Sequence, residues 1–187
     1  MSDHLIIHSS RLRLSEFQMT DAEDVFNCIT PALTAFMFWE MPQSFAAYKA
    51  RREETLRSAN RNDFSFVIRR LDNMECLGIA SLDDVRASSP ELGIWIKEAA
   101  HGYGYGGEAV RAVAEWASKT LGKQSFIYSV AIENVPSRRI AEALRGEIIG
   151  TRTSSKYDSV VYKIHWQDSY PRQGRPQNVE KCPSPPI

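Results

Sequence analysis

The chain has 187 residues, 43% of them apolar, which supplies one sizeable core and argues against two full domains. Its 23 Lys and Arg balance its 23 Asp and Glu, so no global positive field exists to hold a nucleic acid. It shows neither a long apolar run nor a signal-peptide core, and Cys28, Cys76 and Cys182 are too scattered for a disulfide framework or a zinc site; the expected setting is a reducing cytoplasm, away from membranes.

In chain order, Leu12 and Leu14 alternate with Arg11, Arg13 and Ser15 as in a half-buried strand. Thr20-Asp-Ala-Glu23 reads as a capping box opening a short helix with Val25, Phe26 and Ile29 on its apolar face, and Thr30-Pro31 is expected to break it. A second, largely solvated helix is read from Ser44 to about Ser58. Phe64, Phe66 and Ile68 then alternate, Asp72-Asn73 reads as a turn, and Cys76 to Leu82 follows as a strand, giving an antiparallel meander. After the loop Ser88-Ser89-Pro90 comes the strand Glu91-Leu-Gly-Ile-Trp-Ile96. A helix is expected from about Gly107 to Leu121, with Val110, Val113, Ala114 and Ala117 on one face and Gly122 as its left-handed cap. Ser125 to Ile132 is a strand, and Pro136 stands where a first-turn proline belongs, before Ile140, Ala141 and Leu144. Ile148-Ile149 and Val160 to Ile164 read as two short antiparallel strands, and residues 167–187 as a flexible tail.

The stretch richest in chemistry is His101-Gly-Tyr-Gly-Tyr-Gly-Gly107, between an apolar strand and an amphipathic helix. Glycines let the backbone approach a phosphate, and the start of a helix adds unpaired N–H donors and the positive end of its dipole. A pyrophosphate is the expected guest. Gly102-x-Gly104-x-x-Gly107 also reads as a dinucleotide fingerprint, with Glu133 placed for a ribose, but that fold puts its fingerprint at the first strand of a parallel series, whereas a meander precedes it here. A phosphate-loop NTPase loses on chemistry, because Glu108 and Ala109 stand where Lys and Ser or Thr would grip phosphate and magnesium. Asn134-Val-Pro-Ser137 taken alone reads as a capped helix start.

Taken together and in order, Arg11-Leu-Arg-Leu, Thr20-Asp-Ala-Glu, Gly93-Ile-Trp-Ile, Gly102-Tyr-Gly-Tyr-Gly-Gly-Glu-Ala109 and Asn134-x-x-Ser137 resemble the GNAT N-acetyltransferases of the RimJ/RimL type over about residues 5 to 166. The resemblance implies an α/β fold with a mixed, mostly antiparallel, splayed sheet flanked by helices, in a domain of residues 1–166. It implies acetyl-CoA as acyl donor, entering between two diverging central strands, and a primary amine as acceptor, either a protein α-amine or a small-molecule amine. It implies no metal. By the same resemblance the strand Leu92 to Ile96 holds the pantetheine arm through its backbone, at Ile94 and Ile96. His101, Gly102, Tyr103, Gly104, Tyr105, Gly106 and Gly107 hold the pyrophosphate; His101 and Tyr103 replace more polar or basic family residues, so backbone amides are the main expected donors. Asn134 and Ser137 lie near the pantetheine and the sulfur, where the Ser137 hydroxyl protonates the departing thiolate, and Arg138 and Arg139 face the 3′-phosphate.

Acetyl transfer also needs a proton acceptor for the attacking amine. Glu91 is the first candidate and Glu133 the second; a glutamate found after the last helix in some Rim-type enzymes is replaced by Ile149, with Glu147 out of register. Glu108 is read as fixing the glycine loop, Trp39 and Trp95 as walls of the acceptor pocket, and Cys28 and Cys76 as inert packing. Specificity is expected from the region Thr34 to Ala59. A homodimer is left open. The alternative is an acyl-CoA sensor without turnover, which a blocked acceptor channel would favour; an open channel with a proton acceptor favours the enzyme.

Overall fold

The structure is a computed structural model that describes residues 5–57 and 62–166. Residues 167–187, Ser58, Ala59 and Cys182 lie outside the described residues. The described chain builds an eight-stranded sheet from β1 (Ile6–His8), β2 (Leu12–Glu16), β3 (Phe64–Arg70), β4 (Cys76–Asp83), β5 (Glu91–Ile96), β6 (Ser125–Ala131), β7 (Glu147–Thr153) and β8 (Asp158–His165), in the order β1-β2-β3-β4-β5-β6-β8-β7. Every neighbouring pair is antiparallel except β5 and β6, which run parallel. The elements α1 (Ala22–Phe26) and α3 (Phe45–Arg57), with α2 (Pro31–Thr34) between them in the chain, are followed by α4 (Tyr105–Leu121) and α5 (Val135–Ala143); α1 and α3 lie on one side of the sheet, α4 and α5 on the other.

Covering both faces explains why the central strands are apolar without strict alternation. Phe66, Val67 and Ile68 are all fully buried, Phe66 and Ile68 in the core that includes Val110 and Val113, Val67 in the core that includes Val25 and Tyr48. The buried face of α4 consists of Ala109, Val110, Ala112, Val113, Ala114 and Ala117, and Gly122 (φ +67°) closes the helix as expected. By contrast Tyr48 is the one buried residue of α3; it and Phe45 pack on Phe26 with ring centroids 5.7 and 5.5 Å apart.

Several local expectations are corrected. The segment before Arg11 contains β1, whose Ile7 alone is buried; three residues are too few to carry a periodic signal. The capping box is Gln18 with Asp21, not Thr20 with Glu23: Gln18 N–H donates to Asp21 Oδ2 at 3.0 Å, and Met19–Asp21 forms a 3-10 turn into α1. Pro31 opens a helix, because Thr30 Oγ1 caps Leu33 N–H at 3.2 Å and a first-turn proline lacks an N–H that would be unpaired there. The helix expected from Gly107 starts at Tyr105, since the left-handed Gly104 (φ +79°) is its N-cap. The dinucleotide-fold alternative is overturned by topology: the glycine loop follows the fifth strand of an antiparallel meander.

One carboxylate clamps the glycine loop to the sheet. Glu108 Oε1 accepts from Ser9 Oγ (2.8 Å), Ser10 Oγ (2.9 Å) and Arg11 N–H (2.8 Å), while Oε2 accepts from Arg11 Nε and pairs with its terminal nitrogen, both at 2.7 Å. The same arginine donates to Tyr103 O at 3.0 Å. Burial by itself would raise the Glu108 pKa, but these hydrogen bonds outweigh it and hold the carboxyl below its ordinary value of 4.5. A depressed carboxylate stabilises the fold above its unfolded pKa and loses that contribution as pH falls through its folded value. Glu108→Ala is therefore expected to cost about 2 kcal/mol at pH 7, with the gap to wild type closing in acid, as measured by urea unfolding at several pH values.

Candidate functional site

After the single paired position Glu91 with Ile127, secured by Ile127 N–H to Pro90 O at 2.9 Å, β5 and β6 part. Their outer ladders determine what the parting leaves bare. Lys97 N–H bonds Leu77 O at 2.7 Å, so the alternation of an antiparallel ladder turns the backbone groups of Gly93 and Trp95 toward β4 and those of Leu92, Ile94 and Ile96 toward β6. On β6, the bonds Trp166 N–H to Gln124 O and Ile132 N–H to Asp158 O, both 2.9 Å, turn Ser129 and Ala131 toward β5. Two rows of peptide groups thus line a widening gap into which an extended amide chain fits as an added strand.

The glycine loop lies beyond the end of β5. His101 Nε2 donates to Ile96 O at 2.6 Å, so the imidazole braces the strand end. Gly102 (φ +83°) and Gly104 (φ +79°) make the left-handed turns, and the N–H groups of Tyr105, Gly106 and Gly107 have no acceptor within the helix they begin. A Cβ at Gly106 would lie 3.2 Å from Ile140 Cδ1 and 3.7 Å from Ile96 Cγ1, so glycine lets α4 close on β5 and α5. Tyr103 is exposed and stacks on Tyr105 at 5.9 Å. The loop and first turn form a cradle of backbone donors at the positive end of α4, suited to a pyrophosphate.

At the start of α5, Asn134 Oδ1 caps Ser137 N–H at 3.2 Å, and Ser137 Oγ lies 2.7 Å from Tyr128 OH. Burial pushes the Tyr128 phenol up to about 12, so it keeps its proton at neutral pH. Arg138 points elsewhere: its Nε donates to Tyr162 OH at 3.1 Å and another nitrogen to Ile132 O at 3.4 Å. Arg139 and Glu133 are exposed, as is Ile149.

A cavity of about 380 Å³ joins this helix start to the opposite face of the sheet. Asn134, Ser137, Ile94 and Ser129 line it beside the gap; the segment Phe36 to Trp39, together with Arg51 and Arg52 of α3, lines it on the far side. Trp39 and Trp95, edge to face at 6.5 Å, form part of the wall. Glu91 lies on this lining with its carboxylate held by Arg152 at 3.0 Å. Among the described residues no group of three or more His, Cys, Asp or Glu could hold a metal ion, and no helix is long and apolar enough to cross a membrane.

The sequence reading missed Tyr128, Ser129, Arg52 and Asp83 in this lining. Asp83 Oδ2 accepts from Ser81 Oγ at 2.9 Å. A Cβ at Gly93 would collide with Ser81 Oγ and lie 3.7 Å from Asp83 Oδ2, so the glycine leaves the carboxyl open toward β5. Burial pushes Asp83 up to about 6, countered in part by the Ser81 bond and reinforced by Asp63 and Glu91. The only available signal was the pair Ser81 and Asp83, polar at strand spacing within an apolar strand.

Comparison with known proteins matches residues 11–147 to the model of the acetyltransferase (GNAT) domain. No curated protein sequence is similar enough to count as a match. Among solved structures, RimL, a ribosomal L7/L12 α-N-protein acetyltransferase, superposes with a TM-score of 0.75 at 15% identity, covering 87% of this chain and 95% of that one. A ribosomal-protein-S5-alanine acetyltransferase from Vibrio fischeri gives 0.73 at 14% identity, covering 90% and 100%. A GCN5-related N-acetyltransferase from Brucella melitensis gives 0.72 at 17% identity, covering 86% and 78%. Identities this low establish the shared fold.

The Asp83 carboxyl gives this site a thermodynamic signature. A carboxyl whose folded pKa is raised opposes folding when ionised: the penalty is absent below its ordinary 3.8 and complete above about 6. Asp83→Asn is expected to stabilise the protein by about 2 kcal/mol at pH 8 and not at all at pH 3.5, read by urea unfolding at the two pH values.

Proposed function

The chain belongs to the GNAT acetyltransferase family, and from that premise we propose that it moves an acetyl group from acetyl-CoA to a primary amine by direct attack. One observation carries the reading: the strands part onto a cavity that has a hydroxyl pair at one side of the gap and, at the other, a carboxyl without a cationic partner among the described residues. When bound, acetyl-CoA supplies the activated acyl carbonyl. Ile94 and Ile96 hold its pantetheine arm through their backbone, and the loop His101 to Gly107 holds its pyrophosphate, with Asn134 beside the arm. A β5 N–H facing the gap stabilises the carbonyl oxygen as charge develops on it. The nitrogen–carbon bond forms as the carbon–sulfur bond breaks; the amine loses a proton to a cavity carboxylate, and the sulfur takes one from Ser137 Oγ, which Tyr128 OH backs.

Of the carboxylates, Asp83 is better placed for that proton than Glu91, which Arg152 neutralises, or Glu133, which is exposed. Arg138 reaches the 3′-phosphate only by leaving Tyr162. The open cavity supports the enzyme over the sensor. The RimL and S5-alanine relatives support a protein α-amine as the acceptor, with small-molecule amines as the other arm of a screen. Residues 1–166 form the transferase domain in this reading, with 167–187 as a tail, and the cytoplasm is its setting.

Excess acetyl-CoA is expected to raise the unfolding temperature, with NADH and ATP giving no comparable rise; a rise with NADH alone would sink the reading. Gly104→Val, which forces a β-branched residue to φ +79° in the phosphate cradle, should weaken CoA binding at least about tenfold in the folded variant. Ser137→Ala should lower kcat by about 100-fold with little change in acetyl-CoA affinity, checked by thiol-release kinetics alongside titration of CoA.

A further inference from the structure

The cavity holds two opposite charges that do not neutralise each other. Asp83 accepts a hydrogen bond from Ser81 and has no cation within ion-pair distance among the described residues. Arg52 reaches into the same cavity from α3 with its guanidinium 4.0 Å from the centroid of the Phe17 ring, no carboxylate in ion-pair range among the described residues, and Nε buried without a hydrogen-bond partner. Burial lowers its pKa, an effect that Tyr48 counters and Arg51 reinforces. The neighbouring charges are occupied: Glu91 pairs with Arg152 and Lys156 with Glu40, each at 3.0 Å, and Asp63 Oδ1 accepts Asp84 N–H at 2.8 Å. Arg51, exposed beside Arg52, adds to the positive field at that end.

The two unpaired groups occupy defined places along one path. Asp83 stands on β4, opposite Glu91, at the pair where β5 and β6 begin to part, so an amine bound there is at the head of the gap. Ser65, Ser81 and Gly93 form a row across β3, β4 and β5, and Phe17, whose N–H donates to Ser65 O at 2.8 Å, continues it beneath Arg52. Asp83 lies two strands from Phe17 and two residues along β4 from that row, so the ends are roughly 12 Å apart. With a contact of about 3 Å at each end, an amine and an anionic group a few bonds apart on one molecule cover that span. Ser129 Oγ, buried on the same lining without a partner, offers a further hydrogen bond.

We propose that the acceptor is an amine that also carries a carboxylate, its amine seated at Asp83 and its carboxylate at Arg52. This rests on the acetyltransferase reading above and names the acceptor class of that site. Each end then supplies the charge that the cavity leaves unmatched, and the Arg52 fork binds a carboxylate through two parallel N–H donors.

The test uses the full chain with acetyl-CoA and two matched pairs of dipeptides with free N-termini: Ala-Asp amide against Ala-Asn amide, and Ala-Ala free acid against Ala-Ala amide. The first pair probes a side-chain carboxylate and the second a terminal one. In at least one pair the acid is expected to react with kcat/KM about tenfold or more above its neutral partner. Arg52→Gln should bring that ratio close to one while acetyl-CoA still raises the unfolding temperature, and Arg52→Lys, which keeps the charge but not the fork, should retain part of it. Equal kcat/KM within both pairs in wild type, or a preference that survives Arg52→Gln, overturns the proposal. If no dipeptide is acetylated, binding of the same four to the CoA-loaded protein decides instead, tighter binding of an acid upholding the proposal and equal binding overturning it. Stabilisation by acetyl-CoA separately decides the acetyltransferase reading.

Discussion

The rest of this molecule depends on the parting of β5 from β6 after a single shared position. Unpaired peptide groups within a sheet are costly, so a gap of this kind persists only where each strand is committed elsewhere. Six residues of β5 pair with β4 and seven of β6 with β8, which leaves neither strand free to swing across. The inner groups of both strands are left facing the gap, and the cavity and the glycine loop beyond β5 both adjoin it.

The glycine loop owes its shape to contacts distant in sequence. Glu108 is bound by the Ser9–Arg11 turn, about a hundred residues away, and His101 is bonded back to the strand it follows. Anion binding by backbone N–H groups gains from this, because the donors need not be ordered when the ligand arrives. Gly106 has a different task from Gly102 and Gly104: its missing side chain sets the distance between α4, β5 and α5, while the other two supply left-handed turns.

Charge is distributed around the cavity with the same logic. Pairs such as Glu91 with Arg152 and Glu40 with Lys156 neutralise one another, while Asp83 and Arg52 stay unmatched within the cavity. Such groups reduce stability in the free protein, a cost that buried functional groups commonly carry. Tyr128 is the opposite case, a buried group kept neutral by its surroundings and hydrogen-bonded to Ser137, which lines the cavity beside the gap.

Local chemistry was legible at most places where residues close in sequence carry it, but not at the capping box, which is Gln18 with Asp21, nor at Pro31, which opens a helix. The meander, the long amphipathic α4 with its Gly122 cap, the proline at the start of α5, the Asn134 cap and the glycine loop all follow from periodicity, φ preferences and missing N–H groups. Short elements were not: β1 has three residues, α2 has four, and neither can show a period. The order of motifs identified the family, whose domain matches residues 11–147. The cavity lining was decided by tertiary structure alone, because Asp83, Arg52, Ser129 and Tyr128 come to one cavity only when the sheet closes and α3 packs over it. In the sequence Asp83 is a strand end and Arg52 one of many charges on a solvated helix; burial without an ion-pair partner among the described residues distinguishes them, and burial is a property of the fold.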